Sequence, residues 1–149
     1  MKIIIGSDHG GYNYKNEIIN YLKTHNIEFE DMGTYSAESC DYPIFAQKVS
    51  RKVAEANSPD VRGILICGTG IGMSISANKI KGIRAALCSD LFSAKATREH
   101  NNSNILCLGE RVLDKDLMLK IVETWLNTPF SNEERHIRRI EMIEGIGEV

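Results

Sequence analysis

No C-x-x-C pair links any of the four cysteines, Cys40, Cys67, Cys88 and Cys107. That absence argues against a zinc cage and against a small disulfide-stapled scaffold. Proline is scarce, with three in 149 residues, and no Gly/Ser tract or low-complexity segment interrupts the chain. No linker is therefore expected, and residues 1–149 read as a single domain. No apolar run approaches the roughly 20 residues of a membrane-spanning helix. The formal net charge is only -2, so no global basic excess points to nucleic acid or an anionic membrane as a partner. The opening "MKIIIGSDHGG" holds too short an apolar stretch for a secretory signal. With no disulfide framework either, the expected compartment is the reducing cytoplasm.

What the chain does contain is alternation. Short apolar runs, "KIIIG" (2–6), "EFEDMG" (28–33), "GILIC" (63–67), "IRAALC" (83–88) and "NILCLG" (104–109), read as strands. Between them, apolar residues recur four apart: Tyr14, Ile18 and Leu22, then Phe45, Val49 and Val53, then Leu117, Ile121 and Trp125. That spacing puts each trio on one helix face. Asp41 before Tyr42-Pro43, and Ser89-Asp90, are helix starts. Ser131 followed by Glu134 predicts a capping box for a last helix over 132–144. Near-continuous apolar strands alternating with helices predict a three-layer α/β/α sandwich. Its centre is a Rossmann-like, five-stranded parallel sheet, with a C-terminal helix added. At 42% hydrophobic the chain can fill such a core.

Ligands of open parallel sheets bind beyond the carboxyl ends of the strands. "GSDHGG" follows the first strand, with Asp8 and His9 flanked by glycines. "CGTGIG" follows the third and leads into "MSISANKI"; "GER", with Arg111, follows the fifth. The glycines let backbone approach a ligand and expose N–H groups at a helix start, an arrangement suited to phosphates, carboxylates or oxyanions. The loop is neither a P-loop nor a dinucleotide fingerprint: no Gly-Lys-Ser/Thr follows, and the third glycine comes one residue early. Alone, such a turn is as often a packing solution. Cys67 at its mouth shifts the balance, because a thiol facing a helix N-terminus has its thiolate stabilised. Cys88 and Cys107 read as small buried hydrophobes, and Cys40 as a loop cysteine.

His25 sits at a helix end and reads as solvated. His9 beside Asp8 favours function. His100, before Asn101 and Asn102, suits helix capping as well as catalysis. In "NEERHIRRIEMI", Arg135 and Arg139 share a helix face, suited either to a solvated surface or to gripping a phosphate. Ile137, Ile140 and Ile143 form an apolar stripe that would dock on the domain or on a partner.

Together, "GSDHGGYNYK", "DYP", "ICGTGIGMSISANK", "GIRAA", "REHNN" and "ERHIRRI" resemble ribose-5-phosphate isomerase type B, in a wider family that also holds galactose-6-phosphate isomerase subunits. The resemblance runs from about Ile3 to Ile143, with the motifs in order and no departure among the main positions. It implies an aldose–ketose isomerase of the pentose phosphate pathway with neither metal nor organic cofactor. By the same resemblance Cys67 is the base moving a proton between C1 and C2. Thr69 assists transfer between the oxygens, and the backbone of Gly68, Thr69, Gly70, Ile71 and Gly72 holds the enediolate. His100 opens the furanose ring, with Asp8 near the ring oxygens. Asn101 holds a hydroxyl and Tyr42 lines the sugar site. His9, Arg111, Arg135 and Arg139 take the phosphate, with His136 nearby. One branch of that family replaces the cysteine with a glutamate at the start of the following helix. Met73 stands there in this chain, so it resembles the cysteine branch. Family members are dimers or dimers of dimers with shared sites, which implies the same here.

Two other readings stay open. A hexose-6-phosphate isomerase acting on galactose or allose phosphates would need the same phosphate grip. A non-catalytic phosphate-binding module would use the same loops, but has no need of Cys67.

Overall fold

The structure is a computed structural model that describes residues 1–145. Strands β1 (Lys2–Ser7), β2 (Glu28–Asp31), β3 (Val61–Cys67), β4 (Ala85–Leu87) and β5 (Ile105–Gly109) form one sheet in the order β2-β1-β3-β5-β4. Every pairing is parallel. The connecting helices are α1 (Tyr12–Thr24), α2 (Tyr42–Ala56), α3 (Ile71–Ala77), α4 (Leu91–Asn101) and α5 (Lys115–Asn127), and α6 (Glu134–Glu144) closes the described chain.

Side chains alternate across a strand, and the core divides accordingly. Ile3 and Ile5 join Ile18 and Leu22 of α1 and Ile121 and Trp125 of α5 on one face. Ile4 joins Val49 and Val53 of α2 and Met73 of α3 on the other. The sandwich expected from the alternation is therefore present, with both sheet faces covered. Burial of each such aliphatic side chain is worth about 1.5–3 kcal/mol, so all three helical trios are committed to the core.

Some boundaries differ from those expected. β2 ends at Asp31, yet the chain stays bonded to β1 beyond it: the Met32 N–H donates to the Ile5 carbonyl and the Ser7 N–H to the Gly33 carbonyl, while the Asp31 carboxylate accepts the N–H of Gly33. β4 has only three residues; it is one of the two edge strands, and Ile83 is held instead by a turn to the Ile80 carbonyl. Asp90 caps α4 as expected, accepting the N–H of Ser93 at 2.7 Å. Asp41 occupies the N-cap of α2 without a side-chain cap bond. The capping box at the last helix is not formed. Its N-cap is Glu133, and the Ser131 hydroxyl is bonded to His136 Nδ1 at 2.7 Å.

The strand order fixes where a ligand fits. β1 and β3 are neighbours, but the chain leaves β1 for α1 on one face and β3 for α3 on the other. Their carboxyl ends therefore part and leave a crevice.

Candidate active site

Asp8 and Cys67 occupy that crevice. The Asp8 N–H donates to the Ile66 carbonyl at 3.2 Å, which locks the two strand ends together. Gly11 allows the approach: a Cβ there would lie 2.5 Å from the Ile66 carbonyl. Cys67 is buried, and its Sγ accepts the Gly70 N–H at 3.0 Å. Gly70 has φ +78°, and a Cβ would fall 2.5 Å from Leu87 and 2.9 Å from the Leu108 backbone. Only glycine can hold this turn and aim its N–H back at sulfur. The Ile71 N–H is taken by Thr69 Oγ1 at 3.3 Å.

Arg111 lies across the loop. Its N–H donates to the Gly68 carbonyl at 2.9 Å, and a Cβ on Gly68 would sit 3.1 Å from its guanidinium Nη1. His9 accepts the Cys40 N–H on Nδ1 at 3.2 Å, which assigns the ring proton to Nε2. Tyr42 covers Gly72, with its ring 2.7 Å from where a Cβ would be. Asp8 is 7% exposed, and its Oδ1 is buried without a partner. Burial raises its pKa above the usual carboxylate range, while His9, the backbone N–H groups of Gly10 and Gly11, and Arg111 pull the other way. The structure thus brings together Asp8, His9, Tyr42, the Cys67–Gly72 segment and Arg111.

It sets the remaining candidates elsewhere. His100 and Asn101 end α4, and in a parallel α/β sheet helices return antiparallel to the strands. They therefore lie at the amino end of the sheet, where the Asn104 carbonyl receives the Gly63 N–H. From Gly63 to Cys67 the strand runs four steps, which at about 3.3 Å each put this level of the sheet about 13 Å from Cys67. The His136 ring lies tilted against that of His100, with centroids 4.5 Å apart and planes at 37°, and is itself buried. Burial lowers its pKa, and His100, Arg135 and Arg139 lower it further against the pull of Glu133. Arg135 and Arg139 are exposed on the same helix, and Arg135 Nε pairs with Glu133 at 2.8 Å. The candidate residues therefore form two groups, at opposite ends of one sheet.

Burial pushes the Cys88 thiol up to about 12 and raises that of Cys107 as well. Both are packing groups, as the sequence indicated, and Cys40 lies in a loop. Met73 is fully buried in the core. Glu110 did not stand out in the sequence. Its carboxylate takes Asn13 Nδ2 and the Tyr14 N–H, each at 3.0 Å, and its own N–H donates to the Cys67 carbonyl at 2.9 Å. It clamps the loop carrying Arg111 to the start of α1. Only its place in "GER" hinted at this. Among the described residues no group of three or more His, Cys, Asp or Glu could hold a metal ion, and no helix is long and apolar enough to cross a membrane.

A doubly wound α/β sheet with a thiol, an arginine and a glycine-built anion loop at its switch point is the class this geometry defines. Comparison narrows it. The sequence model of the ribose/galactose isomerase family matches residues 3–143. Ribose-5-phosphate isomerase B of Escherichia coli is 44% identical over 145 residues, covering 97% of this chain and 95% of that one. The structure of Clostridium thermocellum ribose-5-phosphate isomerase B superposes with TM-score 0.95 at 52% identity, covering 99% and 98%. The Thermotoga maritima ribose 5-phosphate isomerase superposes with TM-score 0.92 at 48% identity, covering 97% and 98%. The chain belongs to the ribose/galactose isomerase family.

Proposed function

We propose that the protein is a cytoplasmic ribose-5-phosphate isomerase with Cys67 as its base, and that a second copy of the chain completes each site. The observation that carries this reading is the Cys67 sulfur, held by the Gly70 N–H at the mouth of a side-chain-free loop. Isomerisation needs one base that takes a proton and returns it one carbon away. It also needs donors for the enediolate, placed in a site shielded from water.

The steps divide among the residues as follows. His100 and Asp8 open the furanose, passing the hydroxyl proton to the ring oxygen. The Cys67 thiolate removes the proton from C2 of the open aldose, giving a cis-enediolate, and the thiol returns it to C1. Thr69 carries the proton between O1 and O2. Gly70 and Ile71 already spend their N–H groups on Cys67 and Thr69, so the enediolate oxygen falls to Gly68, Thr69 and Gly72. Asn101 and Tyr42 hold sugar hydroxyls. His9 and Arg111 take the phosphate from one chain, and Arg135 and Arg139, with His136, take it from the other.

Two observations support the shared site. His100 and Asn101 stand at the opposite end of the sheet from the sulfur of their own chain, beyond the roughly 13 Å of strand from Gly63 to Cys67, and α6 packs beside them through His136. An apolar rim beside the crevice is also uncovered: Ile71, Leu87 and Val112 are 52%, 41% and 58% exposed, and Phe92 is 80% exposed. Such a rim fits a protein interface. A twofold pair would place each half-site against its complement twice.

The test is turnover of purified protein on ribose 5-phosphate, galactose 6-phosphate and allose 6-phosphate side by side. Ribose 5-phosphate should have the highest kcat/KM. Preference for a hexose phosphate would overturn the substrate while leaving the chemistry. Turnover of none would leave a binding module.

A further inference from the structure

A cavity of about 390 Å³ lies away from the crevice, at the amino end of the sheet. Arg62, Arg84, Arg98, Asn57, Asn104 and Glu144 are among its lining residues. No residue assigned above to the isomerase site lines it. Three guanidinium groups against the one carboxylate of Glu144 leave this wall with a formal charge of 3 − 1 = +2.

Counting donors sharpens the imbalance, since a guanidinium has five N–H groups. Arg98 is 4% exposed. It donates Nε to the Thr128 carbonyl and Nη1 to Asn102 Oδ1 and the Ser103 carbonyl. Its Nη2 has no acceptor among the described residues. Arg62 donates Nη1 to the Trp125 and Leu126 carbonyls, which leaves Nε and Nη2 open. Arg84 alone is paired, through Nη1 to Glu144. Neither Arg62 nor Arg98 makes a salt bridge among the described residues, and the carboxylate that acts on Arg62 from a distance is the exposed Asp60. Buried charges in folded proteins are normally paired. Burial and the two neighbouring arginines hold the Arg98 guanidinium down to about 10.

The open donors are also held in place. Arg62 and Arg98 both sit over the buried Trp125 ring, 5.6 and 5.8 Å from its centroid. Their bonds to carbonyls at the end of α5 and just beyond it fix the guanidinium planes before any ligand arrives. We propose that this basal cavity is a second anion site, built to take a dianionic phosphate group between Arg62 and Arg98. The ligand is inorganic phosphate or the phosphate end of a small phosphorylated metabolite. A phosphate carries about −1.5 to −2 charges at pH 7, which matches the +2 wall, and its tetrahedral oxygens suit two guanidinium edges.

The test is equilibrium dialysis of radiolabelled inorganic phosphate on the Arg139→Ala chain, with Arg62→Gln or Ser58→Asp added. Ser58 is at the rim, so Ser58→Asp adds a carboxylate and removes no packing. Arg62→Gln should weaken one binding event about tenfold or more, the loss expected when a charge-assisted hydrogen bond goes. Ser58→Asp should weaken the same event, and Arg62→Lys should restore part of it. In the otherwise wild-type chain, Arg62→Gln should keep kcat within about twofold, because it touches no group of the isomerase site. Competition of the retained event by ribose 5-phosphate assigns a phosphate monoester, and lack of competition assigns inorganic phosphate. The proposal is overturned if phosphate binding is unchanged by Arg62→Gln and Ser58→Asp. Loss of binding through Arg139→Ala alone also overturns it, and leaves the isomerase reading intact.

Discussion

Mixing two dead variants should give back activity, by a fraction that the topology sets. Cys67 ends β3 and His100 lies in the last turn of α4, at opposite ends of the sheet. If each site takes Cys67 from one chain and His100 from the other, Cys67→Ala and His100→Ala dimers are each inactive at both sites. A hybrid dimer holds one doubly damaged site and one intact site. Random exchange of equal amounts makes about half of the dimers hybrids, each with one of two sites working, so about a quarter of wild-type activity should return. The assay is ribose 5-phosphate turnover after the subunits are unfolded and refolded together, with the hybrid fraction counted by a mass or affinity tag on one partner. Activity should scale with the hybrid count. Verified hybrids with no more activity than their parents would refute the shared site, and so would a fully active monomer in light scattering.

Two further outcomes follow from the crevice. Cys67→Ala should fold normally, yet turnover should fall by about 10²–10⁴-fold, the usual contribution of a positioned acid–base group. Solvent deuterium should enter the exchanged carbon with the wild type and not with the variant, and turnover within a few-fold of wild type would return Cys67 to a packing role. Asp8→Asn should abolish ring opening while raising the melting temperature at neutral pH. Burial raises the folded Asp8 pKa, so the folded state binds the proton more tightly, and its carboxylate costs stability as pH rises above the unfolded value of about 3.9. The gain from Asn should therefore shrink as pH falls toward that value, which melting curves across pH 3.5–7.5 would follow. A gain that is constant with pH would mean that burial of this carboxylate is not the cause.

β1, β3 and β5 were legible because each carries an unbroken apolar run, and the start of α2 because Asp41 precedes the helical spacing of Phe45, Val49 and Val53. The last helix misled, because Ser131 and Glu134 have the spacing of a capping box while His136 claims the serine hydroxyl. That competition depends on a buried histidine in tilted ring contact with His100, a contact 36 residues apart that no local pattern contains. The stripe of Ile137 and Ile143 was visible too, but on this chain they remain 40% and 46% exposed. Of the helix, only His136 is buried against its own chain. Glu110 escaped notice because its partners, Asn13 and Tyr14, lie 97 and 96 residues away.

The separation of the candidate residues into two groups has a single physical origin. A parallel sheet needs a helix to carry the chain back after each strand, so any residue at a helix end lies at the opposite pole from residues at strand ends. "REHNN" precedes the fifth strand and "CGTGIG" follows the third; both flank strands, and proximity in sequence hides that they flank opposite ends. No rearrangement of a single sandwich brings His100 to Cys67 without unpairing β3 from β5, whose five-residue register runs from Gly63 to Cys67. A second copy would join the two poles at no cost to the sheet. It would also give the exposed Ile137 and Phe92 side chains a surface to cover, and it would shield an enediolate for which the described residues provide no lid. On this reasoning assembly belongs to the catalytic machinery itself, and a surface substitution such as Phe92→Lys should reduce turnover by separating chains that are each correctly folded.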